Sequence, residues 1–272
     1  MDTKQQGWAG RGILLGTTLA LIAALMIFAG ACGGDDDGDG NAAAAEAAAR
    51  AAIDAWNGGD LDGFLGAFTD EGVIALFGGL SREEILESGD EIAAGDPQIE
   101  IQELSIDANE EEATAELTTI EGAFQYRQRV TLIPQGGTWL VNDFEHLTQD
   151  VPDDKTAVGV RLLEFEFAFD ENAITGGNLA LNLTNAGEEP HEMALVRVPA
   201  DFDVEAALQS EEDPGDAVED IGFAGPFAPG ADLTAILVDD LEPGRYVMLC
   251  FVPNAEGTPH ALLGMWNEFT IE

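Results

Sequence analysis

The spacing of apolar and polar positions divides the chain into stretches with different structural meaning. Gly12 to Phe28 carries no charge and ends in the small residues Ala29-Gly30-Ala31, directly before Cys32. Lys4 and Arg11 flank its polar start, so residues 1–31 have the charged start, apolar middle and small-residue end of a secretory signal. Ala42 to Trp56 is Ala-rich and helical by propensity. Asn57-Gly58-Gly59 stops that helix, and Asp60 is placed to cap a second one over Leu61 to Phe68. Val73 to Phe77 reads as a short apolar strand, and Ser81-Arg82-Glu83-Glu84 has the form of a capping box opening a helix to about Ala93. After Pro97 the period falls to two: Ile99, Ile101, Leu104 and Ile106, then Ala113, Ala115 and Leu117, then Val130 and Leu132, then Trp139, Val141 and Phe144. Gly136-Gly137 is expected to join the last two strands as a hairpin. Helices followed by four antiparallel strands predict an α+β cone, with the helices on one face of a curved sheet.

Residues 149–157 are polar and break this pattern, and they read as a linker. From Val158 short strands return: Phe165, Phe167 and Phe169 alternate with acidic or small residues, followed by Asn178–Thr184, Met193–Val198, Ala231–Val238, Arg245–Val252 and Trp266–Ile271. Regular short strands with Gly and Pro turns predict an all-β Greek-key sandwich over residues 158–272. Asp201 to Ile221 interrupts it with an acidic stretch, expected to be a surface loop with some helix.

The chain of 272 residues has 10 basic and 53 acidic side chains, a formal charge of −43. That balance excludes polyphosphate binding, so nucleic acid is not a partner, while a cationic redox partner suits it. Gly33 to Gly40, GGDDDGDG, lies in a tether spanning residues 32–41, expected to be extended and solvated because its aspartates repel one another. The two cysteines, Cys32 and Cys250, allow at most one disulfide. Cys32 after small residues resembles a bacterial lipobox, which implies acylation at Cys32 and an extracytoplasmic protein anchored to the cell membrane through its N-terminal lipid. An uncleaved signal anchor is the alternative, which the apolar length alone permits.

Two further resemblances follow. Ala55-Trp56-Asn57-Gly58-Gly59-Asp60-Leu61-Asp62, then Phe64, Phe68, Asp70-Glu71-Gly72-Val73, and the closing Val130-Thr131-Leu132 and Gly136-Gly137-Thr138-Trp139-Leu140-Val141, resemble the NTF2-like (SnoaL-like) family. The resemblance implies an NTF2-like domain over residues 42–148, a pocket in the mouth of the cone, and homodimerisation as one use of it. Tyr126, Arg127, Arg129, Asp143 and His146 are the candidate pocket residues. Asp143 and His146 are three apart, which on a strand puts them on opposite faces, so no active site is assigned there.

In the second half His191, Cys250, His260 and Met265 supply two imidazoles, a thiol and a thioether. Two nitrogens and a thiolate with a weak axial sulfur form the donor set of a type 1 copper site. Glu242-Pro243-Gly244-Arg245-Tyr246 leading to Cys250, with Pro259-His260 and Gly264-Met265, resembles the cupredoxin family. The resemblance implies one copper ion, with His191, Cys250 and His260 equatorial and Met265 axial, and electron transfer through a partly exposed His260 edge. Glu192 stands where many such proteins place Asn to tie the ligand strand to the loop. A metal-free cupredoxin-like shell, zinc occupancy and copper trafficking remain open at this stage. Three histidines are too few for a second copper centre, so an electron carrier or binding protein is expected rather than a multicentre copper enzyme.

Overall fold

The computed structural model describes residues 37–87, 97–210 and 214–272. The expected signal, Cys32 and residues 33–36 of the tether lie outside the described residues, as do positions 88–93 of the helix expected after the capping box. Among the described residues, no helix is long and apolar enough to cross a membrane.

Four helices come first: α1 (Asp37–Asn57), α2 (Leu61–Gly66), α3 (Asp70–Leu76) and α4 (Arg82–Glu87). α1 starts inside the acidic stretch expected to be extended. Its Ala45, Ala49 and Ala52 form a buried stripe at helical spacing. Asp60 caps α2 by accepting from Gly63 N at 2.9 Å. Residues 73–77, expected to be a strand, are instead helical or at a helix end. The Thr69 hydroxyl accepts from Gly72 N at 3.0 Å, and Val73 N and Phe77 N donate to Thr69 O and Val73 O. An N-cap and an i→i+4 ladder outweigh the β-branched pair Val73-Ile74. Gly72 is required there, since a Cβ would lie 2.2 Å from Val141 O. The capping box forms as read: Ser81 N donates to Glu84 Oε2 at 2.8 Å, and Glu84 N to Ser81 Oγ at 3.3 Å.

The helices pack on β1 (Ile99–Ala108), β2 (Ala113–Glu121), β3 (Phe124–Gln135) and β4 (Thr138–Leu147), an antiparallel meander. Gly136 and Gly137, with φ of 62° and 88°, make the β3–β4 turn. Phe64, Leu65, Val73, Leu132 and Val141 fill the core between helices and sheet.

The second half contains β5 (Thr156–Leu163), β6 (Glu166–Phe169), β7 (Leu179–Asn185), β8 (His191–Val198), α5 (Val204–Gln209), β9 (Glu219–Phe227), β10 (Asp232–Leu237), β11 (Gly244–Leu249) and β12 (Trp266–Ile271). β9 was not expected. It is an edge strand with two register shifts against β8, which lets it carry Gly222, Gly225 and Pro226 and hides its period. One all-β sheet has the order β12-β11-β8-β9.

The other sheet is continuous across both halves. Its order is β1-β2-β3-β10-β7-β5-β6, with β4 also on β3. The join is Ile236 on Gln125 and Leu237 on Phe124. Phe124 and Tyr126 of β3 are buried in the second core, with Leu181, Met193, Met248 and Cys250. The Tyr126 hydroxyl donates to Phe223 O at 2.5 Å. Gln149, in the stretch read as a linker, donates its side-chain amide to Thr234 O at 3.0 Å and Gln125 O at 3.2 Å.

Candidate metal centre

His191 opens β8, Cys250 follows β11, and His260 sits on the connection from β11 to β12. That connection is pinned at several points. Ala261 N donates to Cys250 O at 2.7 Å, His260 N to Val252 O at 2.9 Å, Met265 N to His260 O at 2.9 Å and Cys250 N to Met265 O at 3.2 Å. Asn254 Oδ1 accepts from Thr258 N and Glu256 N and folds the tip. A loop with this many internal bonds presents His260 and Cys250 at fixed positions before any ligand arrives.

The two Nδ1 atoms lie 3.1 Å apart, and Cys250 Sγ is 3.5 Å from His260 Nδ1 and 3.9 Å from His191 Nδ1. The outer nitrogens face carboxylates: His260 Nε2 is 2.9 Å from Glu189 Oε2, and His191 Nε2 is 3.3 Å from Glu164 Oε1. With each Nε2 proton given to a carboxylate, both Nδ1 lone pairs and the sulfur face one another, and the thiol hydrogen of Cys250 is the one proton left among them. A cation is what such a set lacks. The separations of 3.1, 3.5 and 3.9 Å are ones that a single ion at ~2.1 Å from nitrogen and ~2.3 Å from sulfur could bridge.

Burial governs the electrostatics. All three side chains are 0 % exposed. Burial pushes the Cys250 thiol well above its ordinary range, and the Glu192 carboxyl adds to it. Burial and the neighbouring His260 hold His191 below its ordinary value, while Glu164 works the other way. A thiolate at this position therefore needs a bound cation to form near neutral pH. The expectation of a partly exposed His260 edge is not met, because Glu189 and the ring of Phe165, 4.8 Å from the imidazole, cover it.

Glu192 makes the tie that its position suggested: its carboxylate accepts from Phe251 N at 2.9 Å, while its own N–H points at Cys250 Sγ at 3.5 Å. Burial pushes this carboxyl up to about 7. Met265 is fully buried in the core that contains Cys250.

Sequence reasoning missed Glu164, Glu189 and Asn185. Buried Asn185 donates to Glu189 O and Phe227 O, both at 2.9 Å, and accepts from Gly187 N at 3.0 Å, which shapes the turn before His191. An Asn-Ala-Gly turn signal was visible, but nothing in the spacing ties Glu164 to His191 across 27 positions.

Of the residues expected to line a pocket in the first half, Tyr126 and His146 do. They border a cavity of about 120 Å³ with Phe64, Phe68, Glu121 and Gln128, closed on one side by Phe223 and Gly225 of β9. Arg127, Arg129 and Asp143 do not line it. The arginines pair with Glu116, and Arg129 also with Glu145, while Asp143 is exposed and accepts from Phe144 N. His146 Nδ1 is buried with no hydrogen-bond partner, and burial holds that imidazole down at about 4.

No family model matches the chain, and no curated protein does. Among solved structures it is similar to an NTF2-like protein of unknown function from Shewanella baltica, at 17% identity over 40% of this chain and 94% of that one, with a TM-score of 0.33. It is similar to dithionite-reduced auracyanin from Roseiflexus castenholzii, at 23% identity over 43% and 98%, with a TM-score of 0.28. A multicopper oxidase from Campylobacter jejuni matches at 9% identity over 64% and 50%, with a TM-score of 0.27. The second half of the chain holds the buried cluster His191, Cys250 and His260, whose ligand atoms all lie within 4.8 Å of one another. What decides the chemistry is that donor set: one soft sulfur and two imidazoles in a dry, prearranged site suit copper.

Proposed function

We propose that this is an exported protein, held at the membrane by a lipid on Cys32, that binds one type 1 copper ion and passes single electrons. The observation that carries the reading is the convergence of His191 Nδ1, His260 Nδ1 and Cys250 Sγ in a fully buried site. Met265 is the axial donor in this reading, and the sandwich around the site has Greek-key connectivity. Bound copper supplies a Cu(II)/Cu(I) couple, and one electron enters or leaves per cycle. The chain's own residues hold both imidazoles and the sulfur in a compromise geometry, exclude water and keep nuclear rearrangement small. An electron carrier, not an enzyme, is the role that follows, and the acidic surface suits a cationic redox partner.

The test is addition of Cu(II) to purified full-length protein. An intense thiolate-to-copper visible band, absent in Cys250→Ala, supports electron transfer. Tight Cu(I) uptake without that band favours trafficking, and no copper uptake overturns the metal reading. Labelling with a palmitate analogue that is lost in Cys32→Ala tests the anchor.

A second reading concerns the NTF2-like unit. The unpartnered His146 Nδ1 on a cavity of about 120 Å³ favours binding of a small, mostly apolar molecule with one polar group there. Homodimerisation through this unit is the other role, read out by the mass of the protein in solution.

A further inference from the structure

The outer faces of the two imidazoles carry a feature that the donor set does not require. Each Nε2 meets a glutamate, and each glutamate reaches it from a different connection. Glu164 lies between β5 and β6, and Glu189 lies between β7 and β8. Glu164 Oε1 also accepts from Glu188 N and Glu189 N, so the carboxylate that meets His191 is fixed by two backbone amides of the neighbouring turn. Gly187 leaves it room: a Cβ there would lie 2.3 Å from Glu164 Oε1 and 2.7 Å from His191 Nε2. Glu189 has a simpler setting, its carboxylate meeting His260 alone at 2.9 Å. Phe165, next to Glu164, lays its ring against His260. The solvent side of the centre is therefore roofed by two carboxylates and one aromatic ring.

Resting on the copper reading above, we propose that Glu164 and Glu189 are positioning residues that bias the bound ion toward Cu(II) and lower the potential of the centre. A carboxylate hydrogen-bonded to the far nitrogen of an imidazole fixes its tautomer, turns the Nδ1 lone pair inward and makes it a stronger donor. Stronger donation and two nearby negative charges both stabilise the ion of higher charge. Reduction takes up one electron, Cu(II) + e⁻ → Cu(I), with no proton moved. An electron partner meets Glu189 and Phe165 before it meets imidazole, since both histidines are fully buried.

Glu189→Gln is the safer variant, because that carboxylate hydrogen-bonds to His260 and holds no turn in place. Glu164→Gln disturbs a turn as well, and Glu189→Asp, which keeps the charge, serves as the conservative partner. Full-length wild type and variants are loaded with copper, and the visible band, Cu(I) and Cu(II) affinities and reduction potential are recorded. The expected result is a retained band in Glu189→Gln with the Cu(II)-to-Cu(I) affinity ratio falling about tenfold, an upward shift of ~59 mV, and partial return in Glu189→Asp. A merely structural role would weaken both oxidation states equally and leave the potential in place. Wild type with the band, and variants with unchanged potential, overturn this inference alone. Wild type with no band and no bound copper overturns it together with the copper reading.

Discussion

Phe124→Ala tests whether the two units fold as one. Phe124 belongs to β3 of the first half, yet it is 0 % exposed in the core of the second half, beside Tyr126 and against Gly222 of β9. Truncating a fully buried phenylalanine removes its transfer free energy and leaves a cavity, at a cost of about 3–5 kcal/mol. Collapse is hindered on one side, because the neighbouring Leu237 is fixed by pairing with Phe124 across the sheet join. Against a typical total of ~5–15 kcal/mol the loss is large, and it moves a urea midpoint down by roughly 1–2 M. The assay is a urea titration of metal-free protein carrying ¹⁹F-tryptophan. Trp56 and Trp139 report on the first half and Trp266 on the second. One shared sheet predicts that all three native signals vanish together, in wild type and in the variant at its lower midpoint. If Trp56 and Trp139 keep their wild-type midpoint while Trp266 moves, the units are independent and the reasoning is refuted.

Three further outcomes follow from single groups. In His146→Leu the pH dependence of stability changes: wild-type His146 titrates at about 4 when folded and near 6.5 when unfolded, so the unfolded chain binds the extra proton between them and stability falls as pH drops through that window. The wild type therefore loses up to about 3 kcal/mol from pH 7 to pH 4 that the variant keeps, measured by denaturant titration at each pH; parallel curves contradict the assignment. Glu192→Gln acts in the opposite window. A folded value of about 7 against 4.5 unfolded means that wild-type stability falls as pH rises, so metal-free Glu192→Gln gains on wild type above pH 4.5, by up to about 3 kcal/mol at pH 8. Gly187→Ala drives a methyl group into Glu164 and His191, and copper affinity drops by about 10–100-fold in a competition titration; an unchanged affinity shows that the turn yields without moving the ligand.

The parts of this architecture that were legible in the sequence are those set by local chemistry. The Ser81–Glu84 capping box, the Gly136-Gly137 turn and the alternation of β2 and β3 each depend on residues a few positions apart. His191, Cys250 and His260 were legible because ligand types are scarce in a chain with three histidines and two cysteines. Misreadings arose where distant contacts decide. Val73-Ile74 has strand propensity, but Thr69 caps a helix whose Gly72 sits on the Val141 backbone. β9 is an edge strand held by β8, so glycine, proline and acid are tolerated in it. The pairing of Phe124 with Leu237 joins two segments that periodicity treats as separate. The roof of Glu164 and Glu189 could not be anticipated, because in a chain with 53 acidic residues no single carboxylate is conspicuous until the fold brings it to an imidazole.

The most direct test of the central claim is the visible spectrum of the purified full-length protein titrated with Cu(II), beside Cys250→Ala. A copper ion held by His191, His260 and the Cys250 sulfur predicts an intense thiolate-to-copper band that saturates at one equivalent and is missing from the variant. A spectrum that stays featureless through the titration, with copper recovered unbound, contradicts it.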